Sequence, residues 1–202
     1  HLASKYDIKA FCNCKDQWGT DGYTLWGGYF NQAYYPSRVN SYIPAQSKSC
    51  QIDVPTFRML GSDPIKQYEA SCEENGQGVV TLEPVYAHGG GSPKWIDWFF
   101  KSIFEEPCLS FGYAQAGQEN SFGWDAMKDG LSYQFKKLQE LRDAGLVSVE
   151  TLSKSGEWFR SEYQTTPPSA VVASHDIEDD GRGTVWYCSN RYRASLAWQG
   201  SK

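Results

Sequence analysis

The chain has 202 residues, a net charge of −5 and no run of basic side chains. That length suits mostly one domain with a sizeable core, and the charge argues against nucleic acid or an anionic membrane surface as a partner. No apolar segment approaches the roughly 18 residues of a membrane span, and no signal peptide is visible at the first residue, His1.

His1 to Asp7 reads as the last turns of a helix whose beginning is missing, so a mature, trimmed or fragmentary chain is expected. Ile8 to Cys14 is the first apolar run, ending near Asp16. A long Gly- and aromatic-rich stretch follows, with Trp18, Asp21, Tyr23 and Trp26 in it, continuing to about Ala45. A segment this long without regular structure is usually functional, and its rings suit stacking on a flat ligand face. Val54 to Gly61 is a second strand ending at Asp63-Pro64. Gly78 to Leu82 is a third, ending at Glu83-Pro84, followed by His88 and the triple glycine Gly89 to Gly91. That triplet lacks the Lys-Ser/Thr of a phosphate loop and reads as a flexible connection. Ser92-Pro93 opens a helix, as serine at the cap and proline at the first position do. Trp95, Ile96, Phe99, Phe100 and Ile103 form its predicted buried side.

The centre of the chain is Leu109 to Leu152. An apolar run from Leu109 to Ala114 leads through Gly117-Gln118-Glu119-Asn120 to Trp124. From there Met127, Leu131, Phe135, Leu138 and Leu141 recur at helical spacing, with Gly145 placed to end the helix. A second apolar run, Leu146 to Val149, ends at Glu150. Strand, helix and strand in that order predict a β-α-β crossover with parallel strands. After a short helix over 156–163, Ser169 to Ala173 is a sixth strand, ending at His175-Asp176. Two further runs, Thr184 to Cys188 and Tyr192 to Trp198, have no helix between them.

This grammar predicts an α/β fold. An open doubly wound sheet wants a Gly-rich first turn, and none is visible. The expectation is therefore a (β/α) TIM-type barrel over 1–180, incomplete and possibly lacking its first strands. Residues 181–202 would add a short antiparallel element that closes it or starts a second domain. In such a barrel, strand ends share one cleft, and here they carry Asp16, Asp63, Glu83, Glu119, Glu150 and Asp176.

Paired carboxylates beside aromatic platforms are what glycoside hydrolysis needs: one acid for the leaving oxygen, one carboxylate to attack or to activate water. The candidate catalytic residues are Glu83, Glu119 and Glu150, with Glu83 and Glu119 favoured because Gln118 and Asn120 flank the latter. Candidate substrate contacts are Asp16, Trp18, Asp21, Tyr23, Trp26, Asp63, His88, Gln118, Asn120 and Trp124. The six cysteines form no zinc-type pattern, and no metal or cofactor is expected. Two other readings compete. One is a non-catalytic carbohydrate-binding protein on the same scaffold. The other is a metal-dependent deacetylase-like barrel using His88, His175 and Asp176 or Asp63.

The segments Lys15 to Tyr23, Phe57 to Pro64, Leu82 to Tyr86 and Gly117 to Trp124 resemble a poorly characterised bacterial family of glycoside-hydrolase-like barrels. Its members occur in polysaccharide-degrading bacteria and carry a β-rich region after the barrel. The resemblance implies a carbohydrate substrate, a longer polypeptide of which this chain is a piece, and an extracellular or periplasmic location. It implies no catalytic assignment.

Overall fold

The computed structural model describes residues 2–12, 33–41, 43–58, 60–66, 80–106, 109–117 and 122–200. After one helical turn, α1 (Leu2–Lys5), three two-residue strands form a small sheet: β1 (Phe11–Cys12), β2 (Ala33–Tyr34) and β3 (Thr56–Phe57). β3 lies in the middle, parallel to β1 and antiparallel to β2. Its residues are aromatic and small, so the sheet buries Ala33, Tyr35 and Phe57 against Phe159 from a later helix. The Tyr35 hydroxyl donates to the Tyr163 carbonyl at 2.8 Å, tying the sheet to that helix's end.

Three helices supply most of the remaining order. In α2 (Pro93–Phe104) the Ser92 hydroxyl accepts from the Trp95 amide, and Pro93 fills a position whose N–H would have no partner. All five residues expected on its buried side are buried, and Trp98 joins them. Trp95 and Phe99 stack at 4.8 Å in the larger of the two cores.

α3 (Trp124–Asp143) ends in a Schellman arrangement. Leu146 N–H reaches Leu141 O, Gly145 N–H reaches Arg142 O, and Gly145 takes a φ of +74°, which a residue without Cβ adopts cheaply. The side it buries overlaps the predicted stripe in part. Gly130, Gln134 and Leu141 are buried, while Phe135 is 56% exposed. The turn 80–92 lies over Gly130 and Gln134, so the covered side is the stripe rotated toward them: Leu141 is buried, Met127, Leu131 and Leu138 are half-buried, and Phe135 is left outside.

α4 (Leu152–Glu162) starts earlier than the short helix expected over 156–163, because the Thr151 hydroxyl accepts from the Lys154 amide and caps it. Gly156 sits inside this helix because a Cβ there would meet the Lys9 carbonyl.

β4 (Ser169–Ala173), β5 (Arg182–Cys188) and β6 (Arg193–Gln199) make an antiparallel meander in chain order. Register runs from Ser169↔Cys188 to Ala173↔Thr184 and from Arg182↔Gln199 to Cys188↔Arg193. The Ser189 hydroxyl organises the last turn, accepting from the amides of Arg191 and Tyr192.

The TIM-type barrel expectation is overturned. The described residues form two separate three-stranded sheets, β1–β3 is the one parallel strand pair among them, and no barrel closes. Residues 61–63 and 80–82 run antiparallel, bridged at Ser62↔Thr81, where the barrel required parallel neighbours. Among the described residues the apolar runs on either side of α3 do not pair with each other; the first makes a single antiparallel bridge, Leu109↔Ala170. The expected parallel crossover is therefore not formed there. Apolar content marked these runs as strands, but pairing partner and direction are set by distant contacts that composition does not encode.

Candidate functional site

Glu83 is completely buried, at the start of a turn that the chain holds from several sides. Leu82 N–H donates to Gly61 O and Asp63 N–H to Val80 O, both at 2.8 Å. The Thr81 hydroxyl then accepts the Glu83 amide at 3.3 Å. The triple glycine folds back over this turn, with Gly90 N–H on Thr81 O at 2.9 Å. A Cβ at Gly90 would run into the Leu82 carbonyl, and one at Gly130 would lie 2.7 Å from the carbonyls of Gly90 and Pro84. The triplet is a close-packing device rather than the flexible connection expected. Gln134, fully buried on α3, donates from Nε2 to both Leu82 O and Gly90 O at 2.8 Å.

Two polar side chains share this buried environment. Arg58, 3% exposed, donates from Nη2 to the Ser62 hydroxyl at 2.8 Å, and Ser62 is the residue bridged to Thr81. Asp63 accepts from the amides of Ile65 and Lys66 and from the Trp95 indole, each at 2.9 Å. Burial pushes the Asp63 carboxyl above the usual carboxylate range, and those three donors oppose the push. Its bonding is that of an acid fixing a turn to a helix. Because segments 61–63 and 80–82 are antiparallel, Asp63 and Glu83 leave the bridge at opposite ends.

Glu150 lies elsewhere. It is exposed on the wall of a cleft of about 840 Å³ bounded by residues 111–116, α3 and residues 146–152. Gln115 faces the same cleft, its Oε1 accepting from the Cys12 thiol at 2.9 Å. Trp158 stands at its edge, edge-on to Phe111 at 5.3 Å and 40% exposed. Burial raises the Tyr113 hydroxyl above its ordinary pKa.

His88 is exposed, and Trp124 is 59% exposed at the start of α3. His175 contacts the Ser174 hydroxyl, and Asp176 is buried 3.6 Å from Arg182. Among the described residues no three His, Cys, Asp or Glu side chains are grouped so as to hold a metal ion. Asp16, Trp18, Asp21, Tyr23, Trp26, Gln118, Glu119 and Asn120 lie outside the described residues. Sequence reasoning passed over Arg58, Gln134 and Trp158. A polar residue inside a helix and an arginine in an apolar strand were the available signals for the first two; Trp158 carried none beyond its ring.

The class these observations define is a mixed α/β chain with a buried acid–arginine turn and an open cleft. No helix among the described residues is long and apolar enough to cross a membrane. No family model and no curated protein sequence matches the chain. A solved structure does resemble it: a Parabacteroides distasonis protein described as a "putative glycoside hydrolase/deacetylase", with TM-score 0.73 and 18% identity over 97% of this chain. The match spans 49% of that protein, so this chain corresponds to about half its length. At this identity the likeness is one of fold.

Proposed function

We propose that the protein is a carbohydrate-active hydrolase that cleaves glycosidic bonds with Glu83 as one of its carboxylates, acting within a longer polypeptide outside the cell or in the periplasm. The observation that supports this most is the placement of Glu83: a completely buried carboxylate on a turn clamped by Gln134 and by close-packed glycines. A general acid or nucleophile must be held in a fixed pose away from bulk water, and a turn packed this closely provides that. Glu119 is the candidate second carboxylate, since Glu150 lines a cleft that Glu83 does not reach, and the distance between Glu83 and Glu119 would set retention or inversion. The name of the Parabacteroides neighbour covers both glycoside hydrolysis and deacetylation. Among the described residues, His88, His175, Asp63 and Asp176 do not gather into the ligand set that metal-assisted deacetylation needs.

The experiment is an assay of the natural protein on plant and bacterial polysaccharides, following new reducing ends and released acetate together. Glu83→Gln should lower reducing-end formation by about 10²–10⁴-fold with binding retained, because glutamine keeps the shape but can neither transfer the proton nor attack. Glu119→Gln tests the second group, and Glu150→Gln, on the separate cleft, should leave activity largely unchanged. Full glycosidase activity in Glu83→Gln removes the assignment. Acetate release that survives Glu83→Gln and is lost in His88→Ala or His175→Ala installs the deacetylase reading. Binding without either product identifies a lectin-like protein.

A further inference from the structure

The cleft of about 840 Å³ lies apart from Glu83, which is not part of its lining, and its walls mix rings with polar groups. Trp158 at its edge is 40% exposed, yet the ring is braced by near-perpendicular contacts with Phe111 at 5.3 Å and Tyr163 at 5.9 Å. A large ring fixed before a ligand arrives loses little freedom on binding. Phe135 offers a second ring from the α3 wall, where Gln139 and Arg142 share its side of the helix at steps of four and three.

The polar groups are placed to meet a neutral ligand. Gln115 is held through its oxygen, which accepts from the Cys12 thiol at 2.9 Å and from the Leu60 amide at 3.4 Å. What it has to offer the cleft is therefore its NH2 group, with two donors. Gln139 is exposed and can both donate and accept. Arg142 gives Nε and Nη2 to Asp143 Oδ1 at 3.1 and 2.8 Å, so the cation on this wall is already engaged. Glu150 adds negative charge, which would repel an acidic ligand. A purely apolar ligand would cover the Gln115 amide without giving it an acceptor. Fixed rings with amides between them suit a molecule that has C–H faces, many hydroxyl groups and no charge.

We propose that this cleft is a saccharide-binding site separate from Glu83, which holds a short neutral oligosaccharide with one sugar ring stacked on Trp158 and hydroxyl groups bonded to Gln115 and Gln139. Its chemistry is that of binding alone, so the inference stands whether or not Glu83 cleaves glycosidic bonds.

The test is calorimetric titration of the natural protein carrying Glu83→Gln, so that nothing is turned over. The probes are short gluco-, xylo-, manno- and galacto-oligosaccharides, with oligogalacturonate as the anionic counterpart. At least one neutral series should bind, and oligogalacturonate should not. Trp158→Ala should weaken that binding about tenfold. Gln139→Ala sits at an exposed helix position and keeps the test valid if the tryptophan variant misfolds; it should weaken binding about two- to tenfold with an unchanged urea midpoint. Hydroxyl-radical labelling of Trp158 and Phe135 should fall when sugar is bound. Unchanged affinity in both variants, no binding of any neutral oligosaccharide, or tighter binding of oligogalacturonate would each overturn the proposal. Binding that persists in a native chain without turnover would remove the glycosidase reading and leave this one standing.

Discussion

The meander β4–β6 and the central unit around α3 are written in the same apolar, β-prone residues and end in different states. Every residue of β5 faces a partner on β6, and five of them also face β4. Residues 112–117 and 147–150 belong to no strand and face none among the described residues. The difference lies in how far the chain must go to find a partner. β6 follows β5 after a four-residue turn held by Ser189, so its register is set locally. The two central runs are separated by the whole of α3, and bringing such segments together costs closure entropy before any contact repays it.

Leu141 and Phe135 were predicted to share one buried stripe, and the structure separates them, which gives the widest-ranging test of this contrast. Leu141→Ala should cost about 2–5 kcal/mol in chemical denaturation, as removal of a core side chain does. A cost near zero would mean that α3 does not pack on the closed side as described. Within the meander, Gly183→Val should cost about 1–3 kcal/mol, because a Cβ there drives into the Trp198 ring and approaches the Ala173 carbonyl at 2.9 Å. A shift in the urea midpoint with unchanged slope is the expected signature.

A smaller effect belongs to the first sheet. Tyr35→Phe should cost about 0.5–1.5 kcal/mol through its lost bond to the Tyr163 carbonyl. Burial, and then the charge of Asp53, push the Tyr35 hydroxyl up to about 12 from 10.0. A folded-state pKa above the unfolded one means a contribution fully present below pH 10 and lost as pH rises through about 12. The native chain should therefore lose stability across that window faster than Tyr35→Phe, in paired denaturation series. The smallest expected change is Phe135→Ala, within about 0.5 kcal/mol in the 202-residue chain. A cost equal to that of Leu141→Ala would erase the distinction between closed and open sides.

Sequence alone determined the features whose causes lie within a few residues. Ser92-Pro93 start α2, the five residues assigned to its buried side are buried, and Gly145 ends α3 through its positive φ. β4 lies where its apolar run places it. The tertiary structure alone decided which runs pair, in which direction, and which side of α3 is covered. The apolar period of α3 picked out Leu141 but could not reveal that Gly130 and Gln134, set among charged and polar neighbours, would be buried beside it. They are buried because the turn after Leu82 approaches too closely for a larger residue at 130, and because its carbonyls need the Gln134 amide. The burial of Glu83 has the same origin. A carboxylate before a proline reads as a strand tip from sequence, and only the segments folded around it set how deeply it lies and what holds it there.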